Sequence, residues 1–232
     1  WNITIFINIY FVEFIYIFSF ESDTKKGEIL IMIFNNIFRI YSLMNCITYI
    51  YANNAVSTNE MAGLQALYES TNGNNWDWNG DTGIWNFNIP NVNPCLDSWQ
   101  GLTCNADCSS STLTTCTVEI IVLGDYNLNG TIPSELSLLS NLQQLELHVN
   151  LLYGSIPPEL GLLVELQKLY LQGNKLSGNI PSDLGFLDKL FDLTLNDNQL
   201  YGNIPVELGL LDKLQILYLQ SNQLYGSIPT EL

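Results

Sequence analysis

The segment NQLYGNIPVELGLLDKL at 198–214 restates NKLSGNIPSDLGFLDKL at 174–190, and another copy, NQLYGSIPTEL, opens at 222. The copies start twenty-four residues apart. A fixed period of that size excludes most globular folds, because each unit is too short to enclose a core and buries its apolar face only against its neighbours. The chain is therefore read as a solenoid. What its units present to solvent carries the function.

Frames of the repeat begin at Val118, Leu142, Leu166, Leu190 and Leu214. Apolar residues recur at the first, fourth and sixth positions, as in Leu142, Leu145 and Leu147 or Leu166, Leu169 and Leu171. The alternation at the end of L-x-x-L-x-L predicts a short strand with its leucines turned inward. Asn150, Asn174, Asn198 and Asn222 fill the ninth position, where a side-chain amide can satisfy backbone groups of tight turns. Tyr126 stands there in the first frame, so the asparagine ladder is expected to be imperfect at that end. Each unit continues L-x-G-x-I-P, in which the glycines allow close approach and Pro133, Pro157, Pro181, Pro205 and Pro229 fix φ and stop strand pairing. Leucines three apart in SDLGFLDKL and VELGLLDKL then predict a 3₁₀-like or short helical turn over the core.

Before the repeats, STNEMAGLQALYESTNG predicts a helix with Ser57 and Glu60 as a capping box and Met61, Leu64, Leu67 and Tyr68 on one stripe. A section rich in Trp, Asn, Gly and Pro follows, too irregular for sheet or helix and read as a module held by buried indoles and disulfides. Residues 56–117 are taken as the cover over the first unit of the solenoid at 118–232. Cys95, Cys104, Cys108 and Cys116 cluster there without a nearby His, which reads as disulfides rather than a metal site, with three pairings open. Residues 1–55 are a different material. The run 1–20 is almost wholly aromatic and β-branched and long enough to cross a bilayer. A second apolar stretch at 29–52 reads either as another span or as a secretory signal that begins at Met32, with Ala52 and Ala55 near the cut. The signal is preferred, because its core is short and interrupted by Asn45 and Thr48, and residues 1–31 are then upstream sequence. Both readings send the rest of the chain out of the cytoplasm, to the cell surface or the medium.

The pattern LxxLxLxxNxLxGxIPxxLGxLxxL resembles the plant-type leucine-rich repeat, whose distinguishing element is G-x-I-P. The resemblance covers 118–232, about five units, and WQGLTC at 99–104 is similar to the closing phrase of that family's amino-terminal cap, with Leu102 in the place of Val. ALYESTNGNNW is similar to caps of algal and other protist members. The resemblance implies an α/β repeat solenoid: a right-handed superhelix with a concave parallel β-sheet and a helical, disulfide-stapled cap. It also implies a Cys95–Cys104 bridge, to which Cys108–Cys116 is added as an inference. Its usual role is extracellular recognition, as in receptor kinases, receptor-like proteins and secreted inhibitors of wall-degrading enzymes.

Seven Lys and Arg against twenty-three Asp and Glu give a net charge of −16, which opposes nucleic acid and anionic lipid. The one histidine, His148, has no nucleophile arrangement around it, and Glu146 and Asp192, though both on the concave face, lack a pocket suited to acid–base work. The chain is read as a non-catalytic module without cofactor or metal. Its ligand, a protein, peptide or carbohydrate, is expected on the concave strands, at Glu146, His148, Lys168, Tyr170, Gln172, Thr194, Asn196, Tyr218 and Gln220. Gln144, Asp192 and Ile216 are expected to be exposed there too. A column of Tyr153, Tyr201 and Tyr225 with Ser177 in the L-x-G element is read as a stacked ladder that stabilises the turns. The alternatives are an inhibitor of a wall-degrading glycosidase and a structural wall or matrix protein. Asn129 in NGT is an expected glycosylation site, and the unit from Leu214 is expected to be open on its far side.

Overall fold

Leu145, Leu147, Leu169, Leu171, Leu193 and Leu195 are all fully buried, so the inward leucines of L-x-x-L-x-L fill the interior of the coil as their spacing requires. They lie in or just after β5 (Gln144–Glu146), β7 (Lys168–Tyr170) and β9 (Asp192–Thr194), which are flanked by β4 (Val118–Val122) and β11 (Ile216–Tyr218). The protein is seen here as a computed structural model describing residues 3–7, 16–20, 56–80, 82–90, 92–105, 108 and 116–232. The five strands pair in parallel, each residue opposite its equivalent twenty-four positions on, as in Leu145 with Leu169 and Leu169 with Leu193.

The asparagine column joins the rungs. Asn174 donates from Nδ2 to the carbonyls of Leu147 at 2.9 Å and Leu171 at 3.0 Å, and its Oδ1 accepts from the Leu152 N–H at 3.0 Å. Asn150, Asn198 and Asn222 repeat this arrangement. Each amide thereby satisfies backbone groups of two successive turns that would otherwise be buried unpaired. Tyr126 ends the ladder: its N–H donates to Asn150 Oδ1, while its ring meets Trp78 edge to face.

Opposite the strands lie 3₁₀ helices at Ser134–Leu138, Pro158–Leu162, Ser182–Phe186 and Val206–Leu210. Each follows a proline in extended conformation, and one buried leucine per helix, Leu136, Leu160, Leu184 or Leu208, points into the core. The prolines of L-x-G-x-I-P were expected to stop strand pairing. The L-x-G elements before them nevertheless form a second parallel sheet from β6 (Tyr153–Gly154), β8 (Lys175–Gly178), β10 (Gln199–Gly202) and β12 (Gln223–Leu224). Proline interrupts pairing only after the glycine, so two to four residues remain free to bond.

The cover over the first rung is α1 (Thr58–Ser70) followed by the Trp-rich segment. The capping box is present, with the Glu60 N–H on Ser57 Oγ at 3.1 Å and the Ser57 N–H on Glu60 Oε2 at 3.2 Å. The buried Glu60 carboxylate also accepts from the Val118 N–H at 3.0 Å, which ties the helix start to the first strand. Leu64 and Leu67 are buried, and Met61 and Tyr68 pack beside them. Trp76, Trp85 and Trp99 are buried, with Trp85 stacked on Trp99 and the Trp76 and Trp85 indole N–H groups on the carbonyls of Thr71 and Gln100. The segment is less irregular than its composition implies: β3 (Leu102–Cys104) adds to β4 antiparallel and extends the main sheet. The structure pairs Cys95 with Cys104 and Cys108 with Cys116.

Residues 1–52 form a separate unit. Within it β1 (Ile3–Ile7) and β2 (Tyr16–Phe20) pair antiparallel, strands where the apolar run 1–20 allowed a membrane-spanning helix. Dense β-branched and aromatic residues favour that outcome. Among the described residues no helix is long and apolar enough to cross a membrane. The signal reading at 32–55 falls outside the described residues.

Candidate ligand-binding face

Side chains that alternate with the buried leucines stand on the open face of the main sheet in columns. One contains Ile120, Gln144, Lys168, Asp192 and Ile216, the next Val122, Glu146, Tyr170, Thr194 and Tyr218, and the third Gly124, His148, Gln172, Asn196 and Gln220. All nine residues expected to contact a ligand stand here, because the twenty-four-residue register aligns their strands.

They are not equally available. Tyr218 is 52% exposed and Gln220 is exposed, whereas Asp192 and Thr194 are each only 7% exposed. That corrects the expectation that both face solvent. A short side chain in a concave sheet lies below its longer neighbours, and here both are held by them. The Tyr170 hydroxyl donates to Asp192 Oδ2 at 2.6 Å, and the Thr194 hydroxyl donates to Gln172 Oε1 at 2.9 Å. Gln144 donates to Glu146, and the Lys168 ammonium lies 5.8 Å from the centre of the Phe191 ring.

Two polar atoms of this face are buried without any hydrogen bond, Asp192 Oδ1 and His148 Nδ1. The imidazole has the Glu146 carboxylate 3.9 Å away, beyond hydrogen-bond reach. His148 is not the freely solvated residue that a lone surface histidine suggests; it lies over Gly124, whose missing side chain leaves room for the ring. Burial, the bond to Asp192, and the negative charges of Asp192 and Glu146 push the Tyr170 hydroxyl up to about 12. Two carboxylates thus flank one phenol, with Lys168 beside them directed to an aromatic ring. This arrangement can donate little and accept much. It suits a ligand that brings N–H groups or positive charge.

Sequence reasoning missed Gly124 and Phe191. The first shows only as the absence of a side chain in the column of His148. The second occupies a position that carries Gln143, Gln167 and Gln215 in neighbouring units, so an aromatic there stood out in the alignment.

The sequence profile of the Leucine Rich Repeat family matches residues 165–187 and 213–232. The crystal structure of the BIR3–SERK2 complex from Arabidopsis thaliana is similar at 35% identity and a TM-score of 0.61, over 73% of this chain and 85% of that one. The chain belongs to the leucine-rich repeat family. It is a leucine-rich repeat protein of the plant ectodomain type. Also similar are the leucine-rich repeat ectodomain of the receptor kinase SOBIR1 from Arabidopsis thaliana, with 27% identity, a TM-score of 0.62 and coverage of 77% and 87%, and PEPR1–AtPEP1, with 28%, 0.63, 75% and 23%. No curated protein sequence matches the chain. This leucine-rich repeat protein shares with those ectodomains a solenoid whose strands leave one broad face open.

Proposed function

We propose that the protein is a receptor-like recognition module, displayed at the cell surface or secreted, that binds a protein or peptide partner on the concave face. The observation that carries this reading is the exposed Tyr218, with exposed Ile216 and Gln220 beside it on the open face of the main sheet. Exposed Tyr218 supplies contact area with few rotatable bonds, and Gln172, Asn196 and Gln220 supply direction. The net charge of −16 favours a basic partner and speeds its approach. Solved relatives support the class of partner: SERK2 stands with BIR3, and PEPR1 with AtPEP1. Glu146, His148, Lys168, Tyr170 and Thr194 complete the contact patch, and the exposed Asn129 is the glycosylation site of the secreted form.

Photo-cross-linking tests the assignment. A photoreactive phenylalanine analogue in place of Tyr218, and separately of Leu162 on the convex side, is exposed to secreted proteins and peptides of the source cells. Cross-linked product from position 218 alone supports the concave face. Product from position 162 alone would reverse it.

A further inference from the structure

The second sheet carries its own outward columns. One contains Asn129, Tyr153, Ser177, Tyr201 and Tyr225, each just before the L-x-G glycine; the other contains Thr131, Ser155, Asn179, Asn203 and Ser227, each just after it. Tyr153, Tyr201 and Tyr225 are 50–65% exposed, and among the described residues no ring-to-ring contact joins them. The expected stacked ladder is therefore not formed, and backbone pairing between β6, β8, β10 and β12 does the joining instead. The ring faces stay open.

Beside them, the amides of Asn179 and Asn203 lie across the next rung. Asn179 Oδ1 is 2.3 Å from where a Cβ on Gly202 would stand, and Asn203 Oδ1 is 2.4 Å from the same point on Gly226. Only glycine leaves the amide this room. Among the described residues, the side chains of Ser155, Asn179 and Asn203 make no hydrogen bond to the protein. Of the first column only Tyr225 reaches the groove of about 560 Å³ beside Ser155, Asn179 and Asn203 of the second, which Pro158, Pro181 and Pro205 also line, with Asp183 as its one charged residue.

Open aromatic faces and proline beside unpaired amides and hydroxyls match a ligand with an apolar C–H face and a rim of hydroxyls. A pyranose ring has that anatomy. Ser155, Asn179 and Asn203 come from successive rungs along the groove, so it meets more than one sugar ring. One carboxylate in the groove and a strongly negative protein disfavour uronic-acid polymers. We propose that this flank groove binds a neutral, extended glycan, independently of the concave face.

Calorimetry with the full chain tests this, using Asn129→Gln protein so that no glycan attached at the head of the column competes. The probes are cellohexaose, xylohexaose, mannohexaose and chitohexaose, with hexagalacturonate as the acidic counterpart. Tyr225→Ser installs the residue the column already carries at 177, and Asn203→Ser the one the other column carries at 155, so the fold tolerates them. At least one neutral probe is expected to bind, each of these replacements to weaken it about two- to tenfold, and Tyr218→Ser on the concave face to leave it unchanged. No binding by any neutral probe, equal binding of hexagalacturonate, or loss with Tyr218→Ser but not Tyr225→Ser would overturn the proposal.

Discussion

The imidazole of His148 occupies the space that a side chain on Gly124 would take, with Cε1 2.3 Å from the position of a Cβ there. The two residues are equivalents in successive rungs, and the Asp125 N–H bonds to the His148 carbonyl at 3.1 Å beside them. The first rung thus supports a ring that belongs to the second. The concave face begins with a shaped edge rather than with a free histidine.

Gly124→Ala should therefore expel the ring without unfolding the coil, since the clash is with a movable side chain. Stability should change by less than about 1.5 kcal/mol, while the His148 imidazole signals move in the NMR spectrum. An unshifted imidazole would show that the ring does not rest there.

Tyr170 should be the last tyrosine to ionise. Its folded value near 12 exceeds the ordinary 10, so the stability it contributes is present below pH 10 and is lost as pH rises through 12. Ultraviolet titration should show a component near pH 12 that Tyr170→Phe removes and Asp192→Asn lowers.

The inward leucines, the asparagine ladder, the 3₁₀ turns and the capping box were legible because each repeats or follows a local spacing rule. Glu60 was legible only as half of that box. Its bond to Val118 spans fifty-eight positions, and no local pattern encodes such a contact. The columns of the concave face followed from the period, but depth within them did not. Asp192 and Tyr218 both alternate with buried leucines, yet one is covered by a hydrogen-bonded Tyr170 and the other stands free. Which side chain shelters another depends on neighbours twenty-two residues away. The second sheet was missed because proline suggested a break where the backbone pairs for a few residues first.

Asn174 bonds to two rungs in a fully stacked part of the ladder, so Asn174→Ala leaves several buried backbone groups unpaired. It should cost about 2–4 kcal/mol, and Asn222→Ala, where the surroundings are more exposed, clearly less. Thermal unfolding of the two variants makes the comparison.

Leu169 is fully buried between two rungs, whereas Leu219 is half-buried. Leu169→Ala should cost roughly 2–5 kcal/mol and Leu219→Ala noticeably less, as read by chemical denaturation. Equal costs would contradict a core built by stacking.

The most direct measurement is the affinity of the cross-linked partner for four proteins: the unaltered chain, Gln220→Ala, Tyr218→Ser and Leu162→Ser. The concave account predicts a loss of about tenfold or more for Tyr218→Ser, a smaller loss for Gln220→Ala and none for Leu162→Ser. Unchanged affinity at Gln220 and Tyr218 with loss at Leu162 would contradict it.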